Sequence, residues 1–372
     1  MKIKDFLILD DEIKSKLERI TTFVPESKAH QPPPKKSLSP FEQTKIKEIL
    51  PEAEKMSRGD APNPAFVRVY LSNTCKHNCM GCQYGSGQGS DDVFMDSSNF
   101  EKLLDHLHSL KVKSIDLSGG GEPTLHPEFG KFARRCMKEK LKLSLFSNGT
   151  WSDQGVIDLL TEGFSFVRVN LDASNDEVYD QIHRPSAPQE FQKMLSNLEK
   201  IISLREKKKS DLIVGAKARI SQANMNFMEE TINLVKDIGV DYIQLQIKNN
   251  GLDSLLPEQI RVVNEYLIEL KSRYYPFLIY AELESKKLHK GCWLSFLNLI
   301  IDPQGDVYSC PHFPSNTAVT SFGNVFTQSA EKLWLGSEHI KIADHLKVND
   351  CPVKECRWHF YDELVRRKII ES

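Results

Sequence analysis

The sequence predicts an α/β fold: a partial, TIM-like (β/α)6 barrel with a helical extension before it and a small cysteine-bearing module behind it. Three observations carry this. From residue 66 onward, short β-branched apolar runs alternate with stretches of helical periodicity, the pattern of βα units around a parallel sheet. Before residue 62 the pattern is helical and breaks only at Gln31-Pro32-Pro33-Pro34-Lys35-Lys36, too rich in proline to continue a helix. After residue 275 two alternating runs around Pro303-Gln304-Gly305 signal a β-hairpin, and the last four cysteines fall in this part.

Taken in order, residues 1–62 form the N-terminal helical extension with its proline-rich linker, a cover or docking arm. Residues 63–275 form the barrel, with strands read at 66–72, 113–119, 141–147, 166–172, 212–220 and 242–248. Helical stretches lie between and after them, among them 97–110, 127–139, 189–205, 226–238 and 257–272. Chemistry is expected on loops at the C-terminal ends of the strands, as in complete barrels. Residues 276–372 form the small module, a hairpin followed by a helical segment at 330–345.

The chain has 372 residues, room for two units, and its 40% hydrophobic and 27% charged residues suit a globular protein with a sizeable core. A formal net charge of −2 gives no long-range field to gather phosphates, so nucleic acid is not an expected partner. The opening MKIKDFLILDDEIKSKLERI places acids directly after a very short apolar stretch, and no run approaches the ~18 residues of a membrane span. A cytoplasmic location without a membrane partner is expected. There, eight cysteines point to metal or redox chemistry rather than disulfides.

Directly after the first strand comes Cys75-Lys76-His77-Asn78-Cys79-Met80-Gly81-Cys82. Three thiolates this close can converge on one cluster, and three ligands on a four-iron cubane leave one iron open to an outside ligand. The alternatives are a zinc site completed by His77, or three unrelated thiols.

This CxxxCxxC spacing after the first strand of a βα-repeat sequence resembles the radical S-adenosylmethionine superfamily, over about residues 66–250. The resemblance implies a [4Fe–4S] cluster on Cys75, Cys79 and Cys82, with S-adenosyl-L-methionine on the open iron. It implies a 5′-deoxyadenosyl radical that abstracts a substrate hydrogen, and a flavodoxin- or ferredoxin-type electron donor. Ser118-Gly119-Gly120-Gly121-Glu122-Pro123 is similar to the family's GGE motif, placing Gly120, Gly121 and Glu122 by the methionyl amine. By the same resemblance Ser147 and Asn170 bind the ribose and Arg184 the methionyl carboxylate. The aromatic residue usual before the third cysteine is here Gly81, and Tyr84 is its substitute near adenine.

Cys292, Cys310, Cys351 and Cys356 lie outside the barrel repeat, and four thiolates can close a site fully, for zinc or for a cluster. With Asp302-Pro303-Gln304-Gly305-Asp306, Gly323-Asn324-Val325 and Leu333-Trp334, the arrangement resembles SPASM and shorter "twitch" modules. Four cysteines suit a twitch with one auxiliary [4Fe–4S] cluster, most like 2-deoxy-scyllo-inosamine dehydrogenase-type enzymes. Cys136, the eighth, reads as a buried helix residue.

With an auxiliary cluster as electron acceptor, and with Cys136, the only spare thiol, placed on the outer helical layer, oxidation is the expected outcome. The leading expectation is dehydrogenation of an alcohol on a small polar molecule: a sugar, aminocyclitol or nucleoside. Lys217, Arg219 and Lys248 are the candidate catalytic residues, with Gln246 and Asn249 beside them and His183 and His312 as further candidate bases. The alternative is maturation of a ribosomal peptide by crosslinking or epimerisation, and a distant one is a non-catalytic zinc-binding scaffold.

Overall fold

The computed structural model describes residues 39–82, 84, 92–247, 253–282, 292–312, 321–348, 356 and 358–370. The proline-rich linker, Lys248, Asn249 and Cys351 lie outside the described residues.

Helix α1 (Pro40–Ser57) opens on a capping box in which the Ser39 hydroxyl accepts from the Glu42 N–H and the Glu42 carboxylate from the Ser39 N–H. The barrel follows as β1 (Phe66–Tyr70), α2 (Ser97–Ser109), β2 (Ser114–Ser118), α3 (Phe129–Lys138), β3 (Lys142–Ser147), α4 (Gln154–Gly163) and β4 (Phe164–Asn170). Helices α5 (Asp176–His183) and α6 (Glu190–Lys208) lead to β5 (Ile213–Ile220), α7 (Met228–Ile238), β6 (Tyr242–Ile247), α8 (Pro257–Arg273) and β7 (Leu278–Glu282). The chain ends with β8 (Asn298–Ile301), β9 (Val307–Tyr308), α9 (Ala330–Leu333), α10 (Ser337–Val348) and α11 (His359–Ile370).

The six strands read from the sequence all form, and three more join them: β7 and the two strands of the hairpin, β8 and β9. The sheet order is β7-β6-β5-β4-β3-β2-β1-β8-β9, with every pair parallel except β8–β9. Strand β7 lies beyond residue 275, where the sequence pattern ends the barrel, yet it pairs parallel with β6. The hairpin around Pro303-Gln304-Gly305 is present, Ile301 opposite Val307. Its first strand also runs parallel to β1, Val67 beside Leu299, so the hairpin extends the barrel sheet.

Alternation along the strands divides the molecule into two layers. Val67, Val69, Ile115, Leu117, Leu143, Leu145, Val214 and Ala216 pack outward in one core with the helices of the βα repeats. The inward face is aromatic and polar. Phe66, Tyr70, Phe146, Phe166, Tyr242 and Tyr280 pack there with Phe41 and Ile49 of α1 and Trp358, Tyr361 and Val365 at and in α11. The Phe41 ring lies 5.2 Å from both Phe146 and Phe166, and Trp358 lies 4.6 Å from Phe66. Helices α1 and α11, packed on each other, thus cover the inner face of an open sheet. Lys45 of α1 is buried here, its Nζ 3.1 Å from Asp116 Oδ1 and bonded to Glu48 and Ser114.

Candidate functional site

A cavity of about 260 Å³ lies at the C-terminal ends of the strands, lined by Cys75, Cys79 and Cys82 together with inward residues of β1 to β6. The cysteine loop is pinned from behind. Asn78 N–H donates to the Arg184 carbonyl at 3.1 Å, Met80 N–H to Ile182 at 2.8 Å, and Ser186 N–H to Lys76 at 2.8 Å, so the end of α5 and the segment after it run alongside the loop. His77 is buried with both ring nitrogens used: Asn148 donates to Nδ1 at 2.9 Å, and Nε2 lies 3.2 Å from the Tyr179 hydroxyl. Burial holds its pKa down at about 3. An imidazole so committed is not a fourth metal ligand, which removes the zinc site completed by His77.

His183 turns the other way. Its Nε2 lies 3.0 Å from the Leu171 carbonyl, which can only accept, so Nδ1 presents its lone pair to Cys79 Sγ at 3.4 Å. Burial above all, with Glu122 and Cys82 adding to it, pushes the Cys75 thiol up to about 12. Cys79 is raised by burial and by its two neighbouring cysteines. Three converging thiolates are therefore unfavourable without a positive centre between them, and a bound iron–sulfur cluster supplies one. All three are free of disulfides and line one cavity, so the residues present fit such a group.

The Gly-Gly-Gly-Glu turn closes one side of the site. A Cβ on Gly121 would lie 2.0 Å from the Thr74 carbonyl oxygen, so glycine is needed there for close approach to the chain entering Cys75 rather than to a ligand. Gly120 is different: a Cβ there would meet only ordinary contacts with Asn73 and the Tyr84 ring. The buried Glu122 carboxylate accepts from the Ser147 hydroxyl at 2.8 Å, from Thr124, and from the Asn148 N–H at 2.8 Å. Burial raises its pKa while these donors oppose the shift.

The structure brings most of the sequence-predicted site residues together. Gly120, Gly121, Glu122, Tyr84, Ser147, Asn170, Lys217 and Arg219 all line the cavity with the cysteine triad. Several have partners the sequence did not indicate. Ser147 Oγ donates to Glu122 and accepts from Trp151 Nε1 and Gly149 N–H, so it holds the Glu122 carboxylate and has little left for a ribose. Arg219 reaches the Gly81 and Met80 carbonyls at 3.3 and 3.5 Å, which makes it a support of the cysteine loop. Arg184 is exposed and absent from the cavity wall; it caps α5 in the left-handed region, and its contribution to the loop is its carbonyl. Asn170, at the end of β4, is exposed to the cavity.

Of the second cysteine set, Cys292 and Cys310 are half-buried and Cys356 is buried. Asp362 of α11 accepts from the Trp293 and Leu294 N–H groups at 2.6 and 2.9 Å and bonds the Cys292 side chain, while burial raises its pKa. Cys356 and Cys292 share the aromatic cluster of Trp358, Trp293 and Tyr308. The two cysteine sets meet through Tyr84: its hydroxyl lies 2.7 Å from that of Tyr70 and 3.2 Å from the Pro311 carbonyl, next to Cys310. Cys136 is buried in the outer core beside Phe132 and Ala133.

Sequence reasoning missed Arg68, Phe146, Arg168 and Gln244 on the inward strand faces, and Phe41, Trp358 and Tyr361 from the two terminal helical segments. The signal for the arginines was present: the tetrapeptide Phe-Val-Arg-Val occurs at 66–69 and again at 166–169, each time placing a charge within an apolar strand.

The radical SAM superfamily pattern matches residues 69–219, and the iron–sulfur cluster-binding SPASM domain pattern matches residues 292–357. The tungsten-containing aldehyde ferredoxin oxidoreductase cofactor-modifying protein of Pyrococcus furiosus is 22% identical over 306 residues, 74% of this chain and 82% of that protein. The PqqA peptide cyclase of a Methylobacterium species is 23% identical over 293 residues, 74% of each chain. Among solved structures, Streptococcus suis SuiB bound to precursor peptide SuiA superposes with a TM-score of 0.61 at 14% identity, covering 90% of this chain and 78% of that one. The chain is a radical SAM enzyme with a SPASM domain, and these domains bring a [4Fe–4S] cluster, S-adenosylmethionine and auxiliary iron–sulfur binding as its cofactors.

Proposed function

We propose that this enzyme matures a peptide, forming a bond or an unsaturation in it by net oxidation. When bound, the cluster and S-adenosylmethionine supply a 5′-deoxyadenosyl radical able to take a hydrogen atom from the substrate. The chain's residues do the rest. Cys75, Cys79 and Cys82 hold the cluster, and Arg219 and the 182–186 segment fix their loop. Gly120 and Asn170 leave room for the nucleoside portion, and Glu122 is braced to meet the methionyl amine. Lys217, buried beside Asn170 and Gln244, is placed to move a proton at the substrate.

The observation that carries the peptide reading is the matched stretch of the PqqA peptide cyclase, which spans three-quarters of both chains. Epimerisation is disfavoured because it needs a thiol to return hydrogen, and Cys136 is buried in the outer core away from the cavity. Oxidation of an alcohol on a sugar, aminocyclitol or nucleoside would use the same cavity and acceptor. It ranks second because the reported relatives are named as a cofactor-modifying protein and a peptide cyclase. Cys292, Cys310, Cys351 and Cys356 would hold the auxiliary cluster that accepts the electron, a flavodoxin or ferredoxin would donate the first one, and a cytoplasmic location fits that supply.

The test is 5′-deoxyadenosine release by the anaerobically reconstituted enzyme with reductant, offered peptides encoded beside its gene or aminocyclitols. Release driven by a peptide, with that peptide losing the mass of two hydrogens, is the expected result. Release driven by the aminocyclitol alone, with a ketone product, would replace this reading by the second.

A further inference from the structure

We propose that Arg68 and Arg168 form an anion-binding subsite in the cavity, below the cysteine loop, that takes the carboxylate of an acidic residue in the substrate. Only the carrier of the carboxylate, a peptide, rests on the function proposed above.

The two arginines hold equivalent places in the repeated Phe-Val-Arg-Val, inward on β1 and β4. Arg168 precedes Asn170 by one inward position, and Arg68 precedes Tyr70 in the same way, so both lie deeper along the strands than the loop holding Cys75. A charge there is costly unless it has work to do. Arg68 is 5% exposed, and its Nε has no hydrogen-bond partner among the described residues. Its nearest carboxylate, Asp116, lies 3.6 Å from NH2 and is closer to Lys45 at 3.1 Å, so Asp116 is shared. The Arg68 guanidinium sits over Phe66, Phe146 and Trp358 at 5.3, 5.1 and 5.4 Å. Aromatic faces steady a cation without using its N–H groups.

Arg168 lies 4.6 Å over the same Phe146 ring and donates to Gln244 Oε1 at 2.6 Å, which fixes its plane. Both guanidinium groups therefore flank one ring and line one cavity. The other charged groups on that wall are Glu42, Glu122, Asp172, Lys217 and Arg219. Glu122 is occupied by Ser147, Thr124 and Asn148, Asp172 by the Arg219 N–H, and Glu42 caps α1. With the cluster cysteines set aside, the wall carries four cationic side chains against three carboxylates, and two of the four are the guanidinium groups of Arg68 and Arg168, whose planar fork matches a carboxylate better than an ammonium does.

The test is equilibrium binding by calorimetry to the full, cluster-loaded chain. The probes are two blocked peptides, acetyl-Gly-Ala-Glu-Ala-Gly-amide and its Gln counterpart, with glutarate and inorganic phosphate as free anions. The expected result is at least about tenfold tighter binding of the Glu peptide, a ratio that falls to about one in Arg68→Gln and Arg168→Gln. Arg68→Lys and Arg168→Lys, which keep the buried charge and so guard against simple misfolding, should retain part of it. Equal binding of the two peptides by the wild type, or an unchanged ratio in both glutamine variants, would overturn the subsite. Binding of glutarate or phosphate that depends on both arginines, with neither peptide bound, would uphold the anion site and overturn the peptide as its carrier.

Discussion

Gly121 and Thr74 touch through their backbones: the Glu122 N–H donates to the Thr74 carbonyl at 2.8 Å, and a Cβ on Gly121 would sit 2.0 Å from that oxygen. The glycine turn and the entry to the cysteine loop are thus one packed unit. Gly121→Ala is expected to push the strand leading to Cys75 aside, costing about 1–3 kcal/mol and weakening cluster retention. Iron and sulfide per chain after anaerobic reconstitution, beside urea unfolding, measure both. Wild-type iron content in the variant would show that the close approach does not govern the loop.

Removing the thiols separates the two cluster sites. A Cys75/Cys79/Cys82→Ala variant should lose about four irons per chain and keep the rest, while Cys292/Cys310→Ala should do the reverse. Iron counting with electron paramagnetic resonance of the reduced protein distinguishes them. Complete loss of iron in either variant would mean that one site cannot form without the other.

Lys45 and Asp116 form a buried ion pair at 3.1 Å, with side-chain exposures of 1% and 0%. Lys45→Met leaves the Asp116 carboxylate buried beside the more distant Arg68 and is expected to cost about 3–5 kcal/mol, most of which Lys45→Met with Asp116→Leu should recover. Equal losses in the single and double variants, by denaturant titration, would show that the two groups do not depend on each other.

His339 carries a pH dependence. Its Nε2 lies 3.1 Å from the Ser295 carbonyl and its Nδ1 accepts from the Leu335 N–H, and burial lowers its pKa from 6.5 to about 4. The unfolded chain therefore binds a proton that the folded chain refuses between these values. The stabilisation is complete above about pH 6.5 and is lost as pH falls toward 4, at up to about 1.4 kcal/mol per pH unit. Melting temperature from pH 7.5 to 5 should fall less steeply in His339→Gln than in the wild type, although His126, lowered in the same direction, keeps some slope in both.

The six central strands were legible because each is a short apolar run with a helix behind it, a local pattern. Strands β7 and β8 were harder: five residues after a proline and half of a hairpin reveal their pairing only when β6 and β1 are in place. That Cys75, Cys79, Cys82 and Lys217 gather at one cavity was legible from spacing and strand-end position, whereas Glu122 and Asn170 were reached through the family resemblance. The roles of Ser147 and Arg219 were not legible, because the partners that claim them, Glu122 and Trp151 for one and the Met80 and Gly81 carbonyls for the other, are set by loop geometry. Arg184 misled for a related reason: a helix-end arginine looks the same in sequence whether its guanidinium or its carbonyl matters. Phe41, Trp358 and Tyr361 lie at opposite ends of the chain, and no spacing rule links them to the cysteine loop.

That last arrangement sets an order of events during synthesis. The cysteine loop and its glycine turn leave the ribosome early, but the inner face of the sheet has at most α1 to cover it until α11 has emerged and docked. A nascent chain therefore exposes part of its aromatic inner face, and the thiols above it, for most of translation. Such a chain is reachable by cluster-delivery machinery and vulnerable to oxygen and to aggregation over the same interval, so slow translation of the last segment should lower the yield of loaded enzyme in air more than under anaerobic growth.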